Sequence, residues 1–312
     1  MDFTIAIPTY NGASRLPLLL DRLRVQVNLE LVDWEVIVVD NNSTDNTKKV
    51  VETYQLDFPR PLKYCFEPKQ GAGYARKLAI QEAKSELIGF LDDDNIPNKD
   101  WITSAIEFAQ AHPRAGAIGS QVHPDFDQPL PPHLKPLLPY FAICEWGSKL
   151  FQYNQMLPPS AGLVVRRQAW LECVPEKTIL NGRTQDNFLT GEDIEALAYI
   201  KRKGSWEIWY NPAMEMNHKI LISRLEKDYL VNFFRGIGLS RYVTRTAGVS
   251  ERWKCMGLFI LYLFSDAYKL LRHFFHTGFR LKNSVSDRCR YELLVTSLWS
   301  PFYLCYKGYL HH

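Results

Sequence analysis

Three adjacent aspartates, Asp92, Asp93 and Asp94, close an apolar run in the stretch "GFLDDDNIP" (89–97). Crowded carboxylates raise one another's pKa unless something positive neutralises them. If the chain stays extended, alternate residues share a side, which places Asp92 with Asp94. Two hard oxygen ligands on one side suit Mg2+ or Mn2+, with substrate phosphates supplying further ligands. An exposed acidic turn accounts for the triplet alone just as well, because Asp and Asn satisfy turn backbone with their own side chains. The elements around it must decide.

The first 120 residues alternate strand and helix signals. "FTIAIP" (3–8) and "WEVIVVD" (34–40) are near-continuous apolar runs, the pattern of parallel strands covered on both faces. Ser14 can cap a helix burying Leu16, Leu19, Leu20, Leu23 and Val27. A segment over 42–54 that starts with capping residues and continues as a helix, a strand at 62–66, a helix over 73–84, a strand at 86–91 and a helix over Trp101–Ala109 follow. That alternation predicts a doubly wound α/β layer, in which ligands bind beyond the carboxyl ends of the strands. Asp40, the aspartate triplet and the loop "PTYNG" (8–12) would then open onto one edge. Residues 124–159 are Pro-rich and read as a long irregular connection, of the kind that forms lids or binding surfaces. A short strand and helical turn come next (160–170), then a helix over 191–204 burying Ile194, Leu197 and Ala198. A strand over 205–212 leads to "AMEMNH" (213–218), where His218 shares strand phase with Met214 and Met216 and so points inward.

A chain of 312 residues with 46% apolar and 23% charged residues can bury a large core. Its charge is uneven. Residues 219–312 hold 15 Lys and Arg against 6 Asp and Glu, net +9, whereas residues 1–218 hold 22 against 28, net −6. A basic tail on an acidic body suits an anionic partner such as a membrane surface. The six cysteines form no CxxC pair, which argues against a zinc site and for reduced thiols. The N-terminus "MDFTIAIPTY" reads as a first strand and not as a signal peptide, so the catalytic part is expected in the cytoplasm.

Taken together, "IPTYNG", "VVDNNSTD", "GAGYARKLAI", "FLDDDNIP", "SAGLVVRR", "GEDIEALAYIKRKG" and the closing "NH" resemble the family 2 glycosyltransferases. The likeness runs in consistent order over residues 3–218 and extends to bacterial exopolysaccharide enzymes, the cyanobacterial hormogonium-polysaccharide type among them. It implies an α/β GT-A (nucleotide-diphospho-sugar transferase) fold, a doubly wound mixed sheet with a C-terminal helical extension. Residues 1–218 would form the catalytic domain and residues 219–312 the basic, aromatic-rich extension. The implied donor is a nucleotide-diphospho-sugar, a UDP-sugar first among them, and the acceptor a glycan or lipid-linked glycan. Asp40 would accept a hydrogen bond from the donor base, walled by Pro8, Thr9, Tyr10 and Asn11. Arg76 would approach the diphosphate. Asp92 and Asp93 would contact ribose or support the metal, with Asp94 and His218 ligating Mg2+ or Mn2+. Asp193, aided by Glu192, would be the base of an inverting transfer, kept ionised by the positive end of its helix. The alternatives to site roles are plain: Asp40 capping a turn, Arg76 a solvated helix residue, His218 a core residue.

One departure matters. Processive synthases carry QxxRW, and "VSERW" (249–253) has Val in place of Gln, which favours single transfers. Competing readings are a nucleotidyltransferase, which should show a Gly-rich phosphate loop after the first strand, a dinucleotide oxidoreductase, for which "GAGYAR" lacks the last glycine, and an inactive scaffold. In the tail, the apolar runs 256–264 and 293–306 are too short to span a bilayer. Interleaved with basic and aromatic residues, they suit helices lying at the inner face of the plasma membrane, or core helices packed on the catalytic domain. No RNA-module motif is present, so nucleic acid is not an expected partner.

Overall fold

The computed structural model describes residues 1–154, 156–184, 187–277 and 284–310. The expected alternation is present as β1 (Phe3–Thr9), α1 (Leu16–Arg24), β2 (Trp34–Asp40), α2 (Thr47–Gln55), β3 (Leu62–Phe66), α3 (Ala72–Glu82) and β4 (Leu87–Phe90). There follow β5 (Asn95–Pro97), α4 (Trp101–Ala111), β6 (Ala115–Phe126), β7 (Phe151–Gln152), β8 (Leu163–Arg166), α5 (Arg167–Cys173), α6 (Glu192–Lys203) and β9 (Glu207–Ile220). Strand order is β3-β2-β1-β4-β8-β6-β9-β5, with β7 on β9. The first four strands are parallel, and β8 joins β4 and β6 antiparallel, so the sheet is mixed.

Alternation along the strands serves two cores at once. Phe3, Ile5 and Ile7 of β1, with Val36 and Val38 of β2, pack against α1, Val51 of α2 and Trp101 of α4. Ala6, Ile37 and Val39 point the other way, onto Ala75, Ala79 and Ile80 of α3 and Leu197 of α6. That two-sided burial explains why these strands read as unbroken apolar runs.

Several local expectations fail. Ser14 does not cap α1: Arg15 occupies that position and no side chain bonds the first turn. Val27 is exposed, because α1 ends at Arg24. By contrast, the capping residues expected from residue 42 do lead into a helix: residues 42–46 form a turn, with Asn42 at φ 65°, and α2 begins at Thr47. Ile194 is only half-buried. The stretch expected to be irregular from residue 124 contains the end of β6, whose residues Val122–Phe126 pair in register with Met216–Ile220 of β9. β9 itself runs unbroken past residue 218, so the expected domain boundary falls inside a strand.

The extension consists of α7 (Lys227–Thr246), α8 (Arg252–Thr277) and α9 (Val285–Tyr306). α7 and α9 meet closely: a Cβ on Gly238 would lie 1.9 Å from Thr296 Oγ1 and 2.7 Å from the Leu293 carbonyl, so any larger residue would push the helices apart. α7 also packs on the catalytic layer through Leu239 and Val243 against Leu180, Leu189 and Ala198. α8 is different, since only Asp266 and His273 of its 26 residues are buried. Among the described residues no helix is long and apolar enough to cross a membrane.

Candidate functional site

At the carboxyl ends of β1 and β4 a cleft of about 1030 Å³ opens, and all three aspartates of the triplet line it. They do so from a turn, since β4 ends at Phe90 and the Asn95 N–H bonds the Asp92 carbonyl. Each carboxylate has its own arginine. Asp92 accepts from Arg76 Nη2 at 3.0 Å. Asp93 takes a two-point bond from Arg15, Nε to Oδ1 at 2.7 Å and Nη2 to Oδ2 at 2.9 Å, and a third from Thr9 Oγ1 at 2.5 Å. Asp94 accepts from Arg224 Nη2 at 2.7 Å. The absent side chain of Gly12 makes the middle contact possible: a Cβ there would lie 2.0 Å from Thr9 Oγ1 and 2.8 Å from Asp93 Oδ2. The crowding problem posed by the triplet is thus solved by three cations drawn from three parts of the chain.

Asp94 also faces His218, brought alongside by the pairing of β5 with β9, in which Asn95 opposes His218. His218 Nδ1 lies 3.0 Å from the Phe141 carbonyl, an acceptor, so Nδ1 carries a proton. The other nitrogen, Nε2, lies 3.6 Å from Asp94 Oδ1 and 3.3 Å from Arg224 Nη1. Against the upward push of burial, His218, Arg224 and Arg15 draw the Asp94 carboxyl down to about 2. An imidazole held by a carbonyl and facing a carboxylate is a donor pair suited to a divalent cation that keeps substrate and water ligands. The guanidinium of Arg224 supplies positive charge at that point. Among the described residues no set of three or more His, Cys, Asp or Glu is arranged to hold a metal. Asp92, expected as a further ligand, is turned to Arg76 instead.

The second carboxylate group comes from the start of α6. Gly191, at φ 91°, turns the chain so that Glu192 and Asp193 enter the cleft. Asp193 Oδ2 accepts from the Ser160 N–H and Oδ1 from the Ile194 N–H, both at 2.8 Å. Burial and then Glu192 push the Asp193 carboxyl above the usual range, opposed by Arg76 and those two amides. The helix end expected to favour the ionised form of Asp193 thus acts here against burial and the charge of Glu192. Arg76 joins the two groups: it donates to Glu192 Oε1 at 2.5 Å, Asp92 Oδ1 at 3.0 Å and Ser160 Oγ at 2.9 Å. At 5% side-chain exposure it is not a solvated helix residue.

Pro8, Thr9 and Tyr10 line the cleft, whereas Asp40 and Asn11 do not. Asp40 is buried and accepts from the Tyr64 hydroxyl at 2.8 Å and the Ser43 N–H at 2.9 Å, so it braces β3 and the turn after β2. Its neighbour Asn41 reaches the cleft. Asn11 bonds the Thr44 N–H at 2.8 Å. Sequence reasoning missed Arg15, Ser160 and Arg224. Arg15 and Arg224 each follow a motif residue by a few positions, which is a weak signal, and Ser160 gave none beyond opening the run "SAGLVVRR".

Comparisons with known proteins bear on the family and the fold. A segment of 112 residues is 32% identical to the poly(ribitol-phosphate) beta-N-acetylglucosaminyltransferase TarS of Staphylococcus aureus, covering 36% of this chain and 19% of TarS. The glucosyl-dolichyl phosphate glucuronosyltransferase of Haloferax volcanii is 23% identical over 206 residues, 64% of each chain. The chain therefore spans less than two thirds of either relative. The crystal structure of TarS 1-349 in complex with UDP-GlcNAc superposes with TM-score 0.57 and 19% identity over 93% of this chain and 78% of that one. The mannosyltransferase PcManGT of Pyrobaculum calidifontis, solved with GDP-Man and Mn2+, gives TM-score 0.60 and 16% identity over 98% and 87%. These likenesses establish a GT-A fold with a C-terminal helical extension. The family model for glycosyl transferase family 2 matches residues 4–172, more than half of the chain, and the protein belongs to that family.

Proposed function

We propose that the protein is an inverting, divalent-metal-dependent glycosyltransferase of polysaccharide biosynthesis, moving a sugar from a nucleotide-diphospho-sugar to a glycan or lipid-linked acceptor. The observation that carries this reading is the presence of two chemical groups in one cleft. Asp94 meets His218 and Arg224 in the first; in the second, Asp193 is held by two amides. In this reading residues 1–218 carry the chemistry, and α7 completes the acceptor side, since Tyr229, Phe233, Ile237 and Arg241 line the same cleft.

Mg2+ or Mn2+ held by Asp94 and His218 would set positive charge against the departing diphosphate. Pro8, Thr9, Tyr10 and Asn41 wall the space for the nucleoside, a UDP-sugar by preference. Asp193 takes the proton of the acceptor hydroxyl as that oxygen attacks the anomeric carbon from the face opposite the diphosphate, which inverts the centre. A carboxyl lifted above its usual range is the better base for this step. Arg76 fixes Glu192 beside Asp193, and its charge opposes the upward push of burial on Asp193.

The nucleotidyltransferase reading loses ground on one observation. The N–H groups of Asn11, Gly12 and Ala13, which a phosphate loop would aim at its ligand, are taken by Ser43 Oγ, Thr47 Oγ1 and Asp45 Oδ2. The extension supports attachment at the inner face of the plasma membrane. Along α8, Trp253, Ile260, Phe264, Leu271 and Phe275 form one exposed stripe about 33 Å long. Lys254 and Arg272 border it, and all this is the pattern of a helix lying in an anionic interface.

The test is Asp193→Asn with a panel of UDP-sugars. Donor binding should stay within about twofold while transfer falls about a hundredfold or more, the scale of a lost general base. Product anomers read by NMR should be inverted. Normal transfer by the variant, or retention of configuration, overturns the assignment.

A further inference from the structure

Five arginines line the cleft: Arg15, Arg76, Arg183, Arg224 and Arg241. Three of them are the partners of Asp93, of Asp92 with Glu192, and of Asp94. Arg183 and Arg241 have no carboxylate partner among the described residues. Arg241 is the more telling of the two. It is half-buried on α7, and its polar contact is the hydroxyl of Tyr140. Burial first, and then the charge of Arg245, act against its ionised form. Arg245, one turn on, is already spent on Asp266, with bonds of 2.6 and 3.0 Å. An unneutralised guanidinium in a partly desolvated wall is costly unless a ligand supplies the anion.

Its position says which ligand. Ser240, the residue before Arg241, accepts the Thr190 N–H at 3.0 Å, and Thr244 lies against Gly191. This part of α7 therefore flanks the turn that delivers Glu192 and Asp193. The same arm of the cleft is apolar and aromatic, lined by Phe188, Tyr229, Phe233 and Ile237. Arg183 spreads over the rings of Tyr229 and Phe233, 4.8 and 5.0 Å from their centroids, and donates to the Tyr229 hydroxyl at 2.6 Å. A guanidinium stacked on rings keeps its outer edge free for a phosphate.

We propose that Arg241 and Arg183 form a subsite for a phosphate group carried by the acceptor, which holds its reactive hydroxyl near Asp193. This rests on Asp193 being the acceptor-side base. The phosphate could belong to the head of an isoprenoid lipid, whose chain would follow the aromatic arm, or to a phosphate-bearing glycan. In both cases the chemistry recognised is a phosphate ester next to an apolar or ring-bearing body.

The experiment uses the full chain saturated with UDP and Mg2+, so that the donor site is filled. Titration calorimetry then follows inorganic phosphate, glycerol phosphate, farnesyl phosphate and farnesol. The three phosphates should bind and farnesol should not compete. Arg241→Gln should weaken phosphate binding about tenfold or more, the scale of one charge-assisted bond, and leave UDP affinity unchanged. Arg183→Gln, at an exposed position that tolerates the change, should weaken the same probes, and Arg241→Lys should recover part of the loss. Farnesyl phosphate binding far tighter than glycerol phosphate identifies the lipid source; equal affinities identify the glycan. Unchanged phosphate binding in both Gln variants overturns the subsite, as does a parallel loss of UDP affinity, which would assign Arg241 to the donor. If the Gln variants lose phosphate binding while Asp193→Asn transfers normally, the subsite stands and the base assignment falls.

Discussion

Replacing Arg76 by Gln is the sharpest test of how the carboxylate groups are held together. The guanidinium is 5% exposed and bonds Glu192, Asp92 and Ser160, with Asp193 close enough to feel its charge. Gln keeps some volume but removes the cation and leaves Glu192 and Asp193 without a positive partner. Breaking a buried ion pair costs about 3–5 kcal/mol. Asp92 is 34% exposed and can be rehydrated, whereas Glu192 at 12% cannot, so the lower end of about 3 kcal/mol is expected. That is a large share of the roughly 5–15 kcal/mol that keeps a domain folded. The sign of the pH dependence follows from the cation's absence. Burial already holds the Asp92 and Asp193 carboxyls above the usual range with Arg76 opposing it; without Arg76 they rise further, so the folded state binds more protons and stability falls as pH rises through the raised range. The deficit should be full at pH 7 and should shrink as pH is lowered toward 4. Urea unfolding of the full chain at several pH values measures it. A loss under about 1 kcal/mol, or a deficit that grows in acid, would refute the view that Arg76 neutralises the two carboxylate groups.

Two further outcomes are expected. Asp94→Ala should abolish Mn2+ binding by the UDP complex, whereas Arg224→Gln, which removes the positive charge already at that point, should tighten Mn2+ binding in the absence of nucleotide by about tenfold; Mn2+ calorimetry with and without UDP reads the two, and weaker metal binding by Arg224→Gln would count against its placement as a counter-cation. Phe264→Glu with Leu271→Glu, both on the outer stripe of α8, should abolish sedimentation with anionic vesicles without changing UDP affinity, and Lys254→Gln with Arg272→Gln should make the remaining binding less dependent on salt, at about 1 kcal/mol per basic residue; equal pelleting of all forms would rule out the stripe as the contact.

The parts of the molecule legible in the sequence were those written as local patterns. β1 and β2 announce themselves because both faces of each strand are covered, and α6 because its charges are sorted, Glu192 and Asp193 first and Lys201–Lys203 last. β6 hides because Gly116, Gly119 and Pro124 interrupt its pattern, and because its pairing with β9 shifts register between Ser120 and Gln121. Positions such as Asp94, His218 and Asp193 could be named from the order of motifs. Their partners could not. Arg224 meets Asp94 across 130 residues of chain and Arg76 meets Glu192 across 116, and nothing in local propensity encodes such a meeting. Asp40 shows the converse: a motif residue at a strand end, whose carboxylate the fold has spent on Tyr64 and Ser43.

The pairing of each aspartate with an arginine has a consequence for how a donor arrives. The lining residues of the cleft include five carboxylates, those of Asp92, Asp93, Asp94, Glu192 and Asp193, and five guanidiniums, those of Arg15, Arg76, Arg183, Arg224 and Arg241. These charges balance, and because each carboxylate of the triplet is already paired, the cleft opposes an approaching anion only weakly. A nucleoside diphosphate sugar would then enter without first giving up its charge to a divalent ion, and its association rate should change little with added salt.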